Sequence, residues 1–356
     1  LVNRDGFIAF APQLVDALFG IGLTRGLSGD VAARLDLLAN AAQHSYAIDV
    51  PSGVESDQAI ALSPVPSFTH CIALGAWKPA HVLMPATTYA AQHWLVDIGI
   101  AAPDCCAQLI GMPALAAPAR DAHKYRRGLA AVVAGAMPGA AALSAEAAAR
   151  SGAGYVRLLT DADVPSLSHA IVRSEALDFS RAKAGLVGPG LGRDEAGWLR
   201  LCASLKADVP VVADADALWL LAERGQGDLP VPAIATPHSG EFDHLFGDDA
   251  GNKIDITCAA ARRSGMVIVH KGPDTVIAAP DGRCAVAPPA STWLSTAGTG
   301  DVLAGLCVGR LAVTGDPFRA TCEAVWLHGE AARRTGAAFA ADDLVQHVSA
   351  ALGGAL

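Results

Sequence analysis

The chain is predicted to be an α/β protein of two domains, each a mainly parallel sheet covered by helices, on three observations. Continuously apolar, β-rich runs at 14–19, 46–50, 71–74, 130–134, 156–159, 185–187, 209–213, 233–236 and 266–270 alternate with alanine-rich stretches. A strand that is apolar without alternation is buried on both faces, the condition of a strand in a helix-covered parallel sheet. Apolar residues fill 52% of 356 positions against 17% charged and 5% aromatic, so the interior should be Ala, Val and Leu with close helix contacts. The alternation lapses between Ile100 and Asp121, among Pro103, Pro113 and Pro118, and restarts at Lys124. A first piece at 1–100, a linker at 101–122 and a second domain at 123–356 follow, either half large enough to bury a core.

Composition narrows the function. A net charge of −9, and no Lys/Arg cluster longer than 124–127, leave no electrostatic footprint for nucleic acid or an anionic membrane. A small-molecule partner is expected. The most lipid-like stretch, 129–143, contains Pro138 and falls short of the roughly 20 residues of a span. Eight cysteines lack metal-like spacing, and the adjacent Cys105 and Cys106 sit in the linker, so reduced thiols in a cytoplasm are expected. The opening Leu1-Val2-Asn3-Arg4 has no Met, charged n-region or apolar h-region, which reads as the interior of a longer protein. A homo-oligomer is the expected assembly.

Along the chain, the candidate residues stand where strands end. Asp16 and Asp49 are acids at strand ends before turns, an ordinary solvated position. Gly188, Gly190 and Gly192 alternate after a strand, where missing Cβ atoms allow either a tight turn or close approach to a ligand. Asp214 and Asp216 bracket Ala215, so in an extended segment they face opposite ways, one toward a site and one capping a helix from about Ala217. His238 follows another strand, at the carboxyl edge where α/β sheets hold ligands. Lys271, Gly272, Pro273, Asp274 and Thr275 supply a cation, a flexible glycine and a hydroxyl, suited to a nucleotide phosphate. The run 295–305, STAGTGDVLAG, sets a glycine-rich turn before an apolar helix ending near Leu311. Such a turn aims amides and the positive helix end at one spot, which suits a phosphoryl group. Asp301 then stands in the first helical turn, either as a plain capping acid or as a base for a substrate hydroxyl.

These segments together resemble one family. STAGTGDVLAG resembles the anion-hole motif of the ribokinase-like superfamily in the form carried by the NAD(P)H-hydrate dehydratases. HKYRRG at 123–128 with the following loop and helix, GLVGPGLG at 185–192, VVADADALWLL at 211–221, TPHSGE at 236–241 and HKGPDTVIAAPDG at 270–282 follow in family order. The resemblance implies a three-layer ribokinase-like α/β/α domain. It also implies Asp301 as catalytic base, with Ala140, Gly190, His238 and Asp301 on the substrate and Lys271–Thr275 with Gly300 on the nucleotide. ADP, with ATP as the alternative, and Mg2+ are the implied cofactors, and NADHX or NADPHX the implied substrate. Hydroxide leaves poorly; phosphorylating the hydrate hydroxyl first lets phosphate depart with electron push from the ring nitrogen. The chain departs from the family at 291–294, Ser-Thr-Trp-Leu for an Asn-Pro-Gly lead-in, at Trp219 for an asparagine, and at Ser239 for a proline.

The first piece resembles the later half of the NAD(P)H-hydrate epimerase domain, a Rossmann-like α/β unit, in 15–25, AIDVPSG at 47–53, LGAWKP at 74–79 and VDIG at 96–99. That implies a potassium ion at Asp16 and Ser52. It also implies a substrate lining from Gly20, Ile21, Gly22, Leu23, Thr24, Arg25 and Gly26, and Asp49 as the substrate-contacting base. The family's Asn-Asn-Gly-Gly-Asp-Gly loop has no counterpart here, so a remnant that binds without turnover is expected. Two other readings stay open for the second domain: a vitamin-precursor or sugar kinase of the same superfamily, and a degenerate nucleotide-binding chain.

Overall fold

The computed structural model describes residues 10–101, 107–165 and 167–356. The expectations for the opening residues and for the Cys105–Cys106 pair lie outside them. Two compact units divide the chain, one of residues up to 106 with 251–253, the other of 107–250 with 254–356. Residues 107–122, read from sequence as linker, thus count with the second unit.

The first unit comprises β1 (Gln13–Asp16), α1 (Gly29–Ala41), β2 (His44–Ile48), β3 (Val54–Glu55), β4 (Ile60–Ala61), β5 (Phe68–Leu74), α2 (Pro79–Val82) and β6 (Ala90–Val96). Its sheet runs β1-β2-β5-β6 with every pair parallel, while β3 and β4 form an antiparallel ribbon. Leu35, Ala47, Phe68, Cys71 and Ala90 make its core. The sequence did not disclose β6, whose consecutive Trp94, Leu95 and Val96 are all exposed and so carry no buried-face periodicity.

The second unit opens with β7 (Gln108–Leu109), β8 (Leu129–Val133), α3 (Pro138–Arg150), β9 (Tyr155–Leu159), β10 (Ile171–Ser174), β11 (Ala184–Val187), α4 (Glu195–Leu205) and β12 (Val211–Ala213). It continues with α5 (Asp216–Arg224), β13 (Ile234–Ala235), α6 (Ser239–Phe246), α7 (Lys253–Ser264), β14 (Val267–His270), β15 (Val276–Ala278), β16 (Cys284–Val286), α8 (Thr299–Thr314), α9 (Pro317–Thr335) and α10 (Ala341–Gly353). The strands lie in the order β10-β9-β8-β11-β12-β13-β14-β15-β16-β7. From β10 to β14 all pairs are parallel; β15 turns the sheet antiparallel, and β7 closes its edge parallel to β16. The chain winds outward from β8 through β9 to β10, then crosses to β11 on the other side of β8. That reversal is a topological switch point, where ligands bind in doubly wound sheets.

Buried strands carry the core on both faces. Ala130, Val132 and Leu186 pack one way against α3, α8 and α9, and Leu129, Val133 and Val187 the other way against α4, α5 and α7. Helix α8 is buried from Val302 to Ala312 because sheet and helices enclose it, and its one charge there, Arg310, is paired with Glu323 of α9 at 2.6 Å. Small residues make this possible. A Cβ at Gly305 would stand 2.2 Å from the Ser144 carbonyl oxygen of α3, and one at Gly309 2.0 Å from Ser151 Oγ. Gly305→Ala is therefore expected to lower stability by about 1–3 kcal/mol by prising α3 from α8, read by urea unfolding; an unchanged midpoint would contradict this close crossing. Among the described residues no helix is long and apolar enough to cross a membrane.

Candidate active site

The loops at the carboxyl ends of the parallel strands converge at the switch point. After β8 and β11, Ala136 N–H donates to Leu191 O at 3.2 Å and Met137 N–H to Gly190 O at 2.9 Å. Gly190 has φ +60, and a Cβ there would meet the Met137 carbonyl oxygen at 2.2 Å, so this position admits only glycine without rearrangement. Ala140 lies in the first turn of α3, its N–H donating to Met137 O at 3.3 Å.

The two aspartates after β12 part company at Ala215, held at φ 46. Asp214 is buried, accepting from Thr236 Oγ1 at 2.7 Å and pairing with Lys271 Nζ at 2.8 Å. Asp216 instead accepts from the Gly192 amide at 3.0 Å and from Arg193 Nε at 2.8 Å, pinning the glycine loop. The opposite-faces expectation thus resolves into a carboxylate that holds a cation and one that braces a loop.

His238 caps α6: its ring accepts from Glu241 N–H at 3.2 Å, and Glu241 Oε2 accepts from His238 N–H at 2.8 Å, a reciprocal capping box. Glu241 Oε2 is also 3.8 Å from Lys271 Nζ. His270, one residue before Lys271, is stacked on Phe242 at 4.2 Å and lies within hydrogen-bond distance of Ser239 Oγ and Thr257 Oγ1. Burial alone would pull the Lys271 ammonium down, but Asp214, and after it Glu241 and Asp301, hold it above the ordinary lysine range. It is a fixed charge.

Helix α8 begins at Gly298, whose left-handed backbone turns the chain so that the amides of the first turn face out of the helix start. A Cβ at Gly300 would meet only Lys271 Nζ, at 3.7 Å, so amide and ammonium border one open space. Asp301 follows in the first turn. Burial raises its carboxyl to about 6, Asp214 adds to the rise, Lys271 opposes it and Asp216 adds further. Its backbone oxygen accepts from Ser144 Oγ at 2.8 Å.

A cavity of about 940 Å3 opens on this helix start, lined by His238, Lys271, Gly272, Pro273, Thr275 and Gly300 among the predicted residues. Ala140, Gly190, Asp274 and Asp301 do not line it. Gly190 stands in the loop after β11, Ala140 in the first turn of α3, and Asp274 is buried in the turn after Lys271, so the cavity gathers part of the predicted set and leaves these four outside its lining. Other wall residues escaped the sequence reading, among them Pro288, Pro289, Val325, Trp326 and His328. The departing segment at 291–294 lies here as a single helical turn, Thr292–Leu294, capped by Ser291. Trp219 is elsewhere, under the Arg193 guanidinium at 5.0 Å and stacked with His244.

In the first unit, Asp16, Asp49 and Lys78 gather at the carboxyl ends of β1, β2 and β5. Asp16 accepts from Ser52 Oγ at 2.7 Å and Ser52 N–H at 2.9 Å, and Ser52 Oγ is 3.3 Å from the Phe19 carbonyl oxygen. Asp49, at φ 67, is bound by Lys78 Nζ at 2.5 Å. A Gly20 Cβ would stand 3.3 Å from Asp49 Oδ2 and a Gly26 Cβ 2.3 Å from Leu62 O, whereas Ile21, Gly22, Thr24 and Arg25 are exposed and Leu23 half-buried. Sequence reasoning quoted Lys78 only as part of a motif; its ion pair with Asp49 is a structural finding.

A mostly parallel sheet under α8, with an amide-bearing helix start at its carboxyl edge, defines the ribokinase-like class. A ribokinase-like superfamily protein of Enterococcus faecalis shares this fold with TM-score 0.57 at 23% identity over 67% of this chain and 91% of its own. The NAD(P)H-hydrate dehydratase family model matches residues 130–352, and that of the YjeF-related protein N-terminus residues 10–80. Bifunctional NAD(P)H-hydrate repair enzymes of Thermosynechococcus vestitus and Salinibacter ruber are 32% and 35% identical over 93% and 92% of this chain and 72% and 68% of theirs. An ADP/ATP-dependent NAD(P)H-hydrate dehydratase of Bacillus subtilis, co-crystallised with ATP and Mg2+, is 32% identical with TM-score 0.60 over 68% of this chain and 95% of its own. The chain belongs to the bifunctional NAD(P)H-hydrate repair family.

Proposed function

We propose that the second unit dehydrates NADHX or NADPHX to NADH or NADPH with ADP as phosphoryl donor and ATP as the alternative. The observation that carries this is a half-buried carboxyl, Asp301, raised to about 6 in the first turn of a helix whose amide end and Lys271 border one cavity. When bound, the nucleotide supplies the phosphoryl group that converts hydroxide into a departing phosphate. Asp301 takes the proton of the hydrate hydroxyl, and a base with a pKa just below neutral is matched to that task. Gly300 N–H and Lys271 Nζ offset charge on the phosphoryl oxygens, preorganised by Asp214, Glu241 and the helix. Pro288, Pro289 and Trp326 give an apolar wall suited to a purine and to exclusion of water. Ala140, Gly190 and His238 are assigned to the hydrated nicotinamide.

Among the described residues no group of three or more His, Cys, Asp or Glu converges as a metal cage. A divalent ion would therefore be held mainly through phosphate oxygens, and no step here is routed through it. In the first unit, Asp16, Ser52 and the Phe19 carbonyl present converging oxygens that suit potassium. Asp49, steadied by Lys78, is assigned to the epimerase substrate with Gly20–Gly26. A cytoplasmic homo-oligomer is the expected setting. The test is stoichiometry: one free phosphate per NADH formed is expected, whereas a phosphorylated product accumulating without free phosphate would move the site to a small-molecule kinase.

A further inference from the structure

Two neighbouring helices grip the first turn of α8 through its carbonyls. Ser144 of α3 bonds the Asp301 oxygen, and His328 Nε2 of α9 lies 2.9 Å from the Thr299 oxygen. A carbonyl only accepts, so His328 carries its proton on Nε2. In a trans peptide the carbonyl of one residue and the N–H of the next point oppositely across one plane. Whatever holds the Thr299 oxygen therefore aims the Gly300 N–H the other way, out of the helix start and toward the space that Gly300 shares with Lys271 Nζ. A donor on that oxygen also polarises the peptide and strengthens its N–H as a donor. Burial holds the His328 ring down to about 4, so it is neutral through the working range and carries no charge to the anion.

We propose that His328 is a positioning residue for phosphoryl transfer, which through the Thr299 carbonyl aims and polarises the Gly300 amide at the phosphoryl group. It transfers no proton and touches no reacting atom. The proposal rests on the nucleotide reading of the cavity given above.

The test compares His328→Gln, whose amide nitrogen reaches about where Nε2 lies, with His328→Asn, the same amide one methylene short. In the full chain, thermal melting, calorimetric titration with Mg·ADP and Mg·ATP, and kcat and KM for the hydrate are measured. His328→Asn is expected to weaken nucleotide binding about 3–10-fold and to cut kcat about 10–100-fold, below the roughly 100–1000-fold loss of a direct oxyanion donor. KM for the hydrate should stay within about twofold, and His328→Gln should restore most of both losses. The acid limb of the pH–rate profile should survive in both, because it belongs to Asp301. Equal losses in the two variants, tracking a common fall in melting temperature, would reduce His328 to a structural contact and overturn the proposal. So would wild-type kcat in His328→Asn, or loss of a pH limb. Should the wild type bind Mg·ADP yet dehydrate nothing, the dehydratase reading fails while the titrations still decide the role of His328.

Discussion

Asp301→Asn is expected to cut turnover by about 10²–10⁴-fold, the usual worth of a positioned general base, with nucleotide affinity near wild type because Gly300 and Lys271 remain. For the wild type, kcat/KM should rise with pH through an acid limb near 6, where Asp301 loses its proton, and the limb should vanish from the residual rate of the variant. Stability should move the opposite way. Because the folded-state pKa lies above the unfolded value, an ionised Asp301 burdens the fold fully above about pH 6, and the burden lifts as pH falls toward the ordinary carboxylate range. Asp301→Asn should therefore melt higher than wild type at neutral pH and converge on it near pH 4. A variant with near-normal turnover, or a limb that stays, would remove Asp301 from the chemistry.

Lys271→Met should produce the largest fall in stability. It strips the cation from Asp214, a buried carboxylate that also accepts from the Thr236 hydroxyl, and breaking a buried pair from one side costs about 3–5 kcal/mol. Adding Asp214→Asn should recover most of that loss, since no buried charge is then stranded. Nucleotide binding should stay weakened in both, because the ammonium beside Gly300 is missing from each, while saturating nucleotide still supports a measurable residual rate. The pH profile gives a second check. Lys271 holds the Asp301 pKa down and Asp214 holds it up, so the single variant should shift the acid limb to higher pH and the double variant should bring it back. If the double variant bound nucleotide normally, Lys271 would be a structural cation only.

The parallel strands were legible because burial on both faces leaves an unbroken apolar run. Residues 130–134, 156–159, 185–187 and 266–270 fall on β8, β9, β11 and β14 within a residue or two of their ends. The hairpin β15–β16 and the edge strands β7 and β10 were not, since two to four residues carry too few side chains to declare a period. The apolar composition, rich in alanine, foretold close helix contacts, and Gly305 of α8 against Ser144 of α3 is one such crossing. At the site, Asp301, Lys271 and Gly300 announced themselves by standing beside glycines at strand and helix ends. Asp214 was readable only as one of two candidates, because its partner is 57 residues away. His328 and Ser144 lie inside amphipathic helices and act on backbone carbonyls, which no local pattern records. The segment 291–294 could be seen as a departure from the family, but not that Ser291, Thr292 and Leu294 line a cavity.

The most direct test of the account is absorbance at the reduced-nicotinamide band after the protein is mixed with chemically prepared NADHX, magnesium and either ADP or ATP. Recovery of NADH with ADP, or with ATP in its place, and none without nucleotide, is the predicted result and identifies the phosphoryl donor. No recovery with either nucleotide, while both still bind, would contradict dehydration as the function of this site.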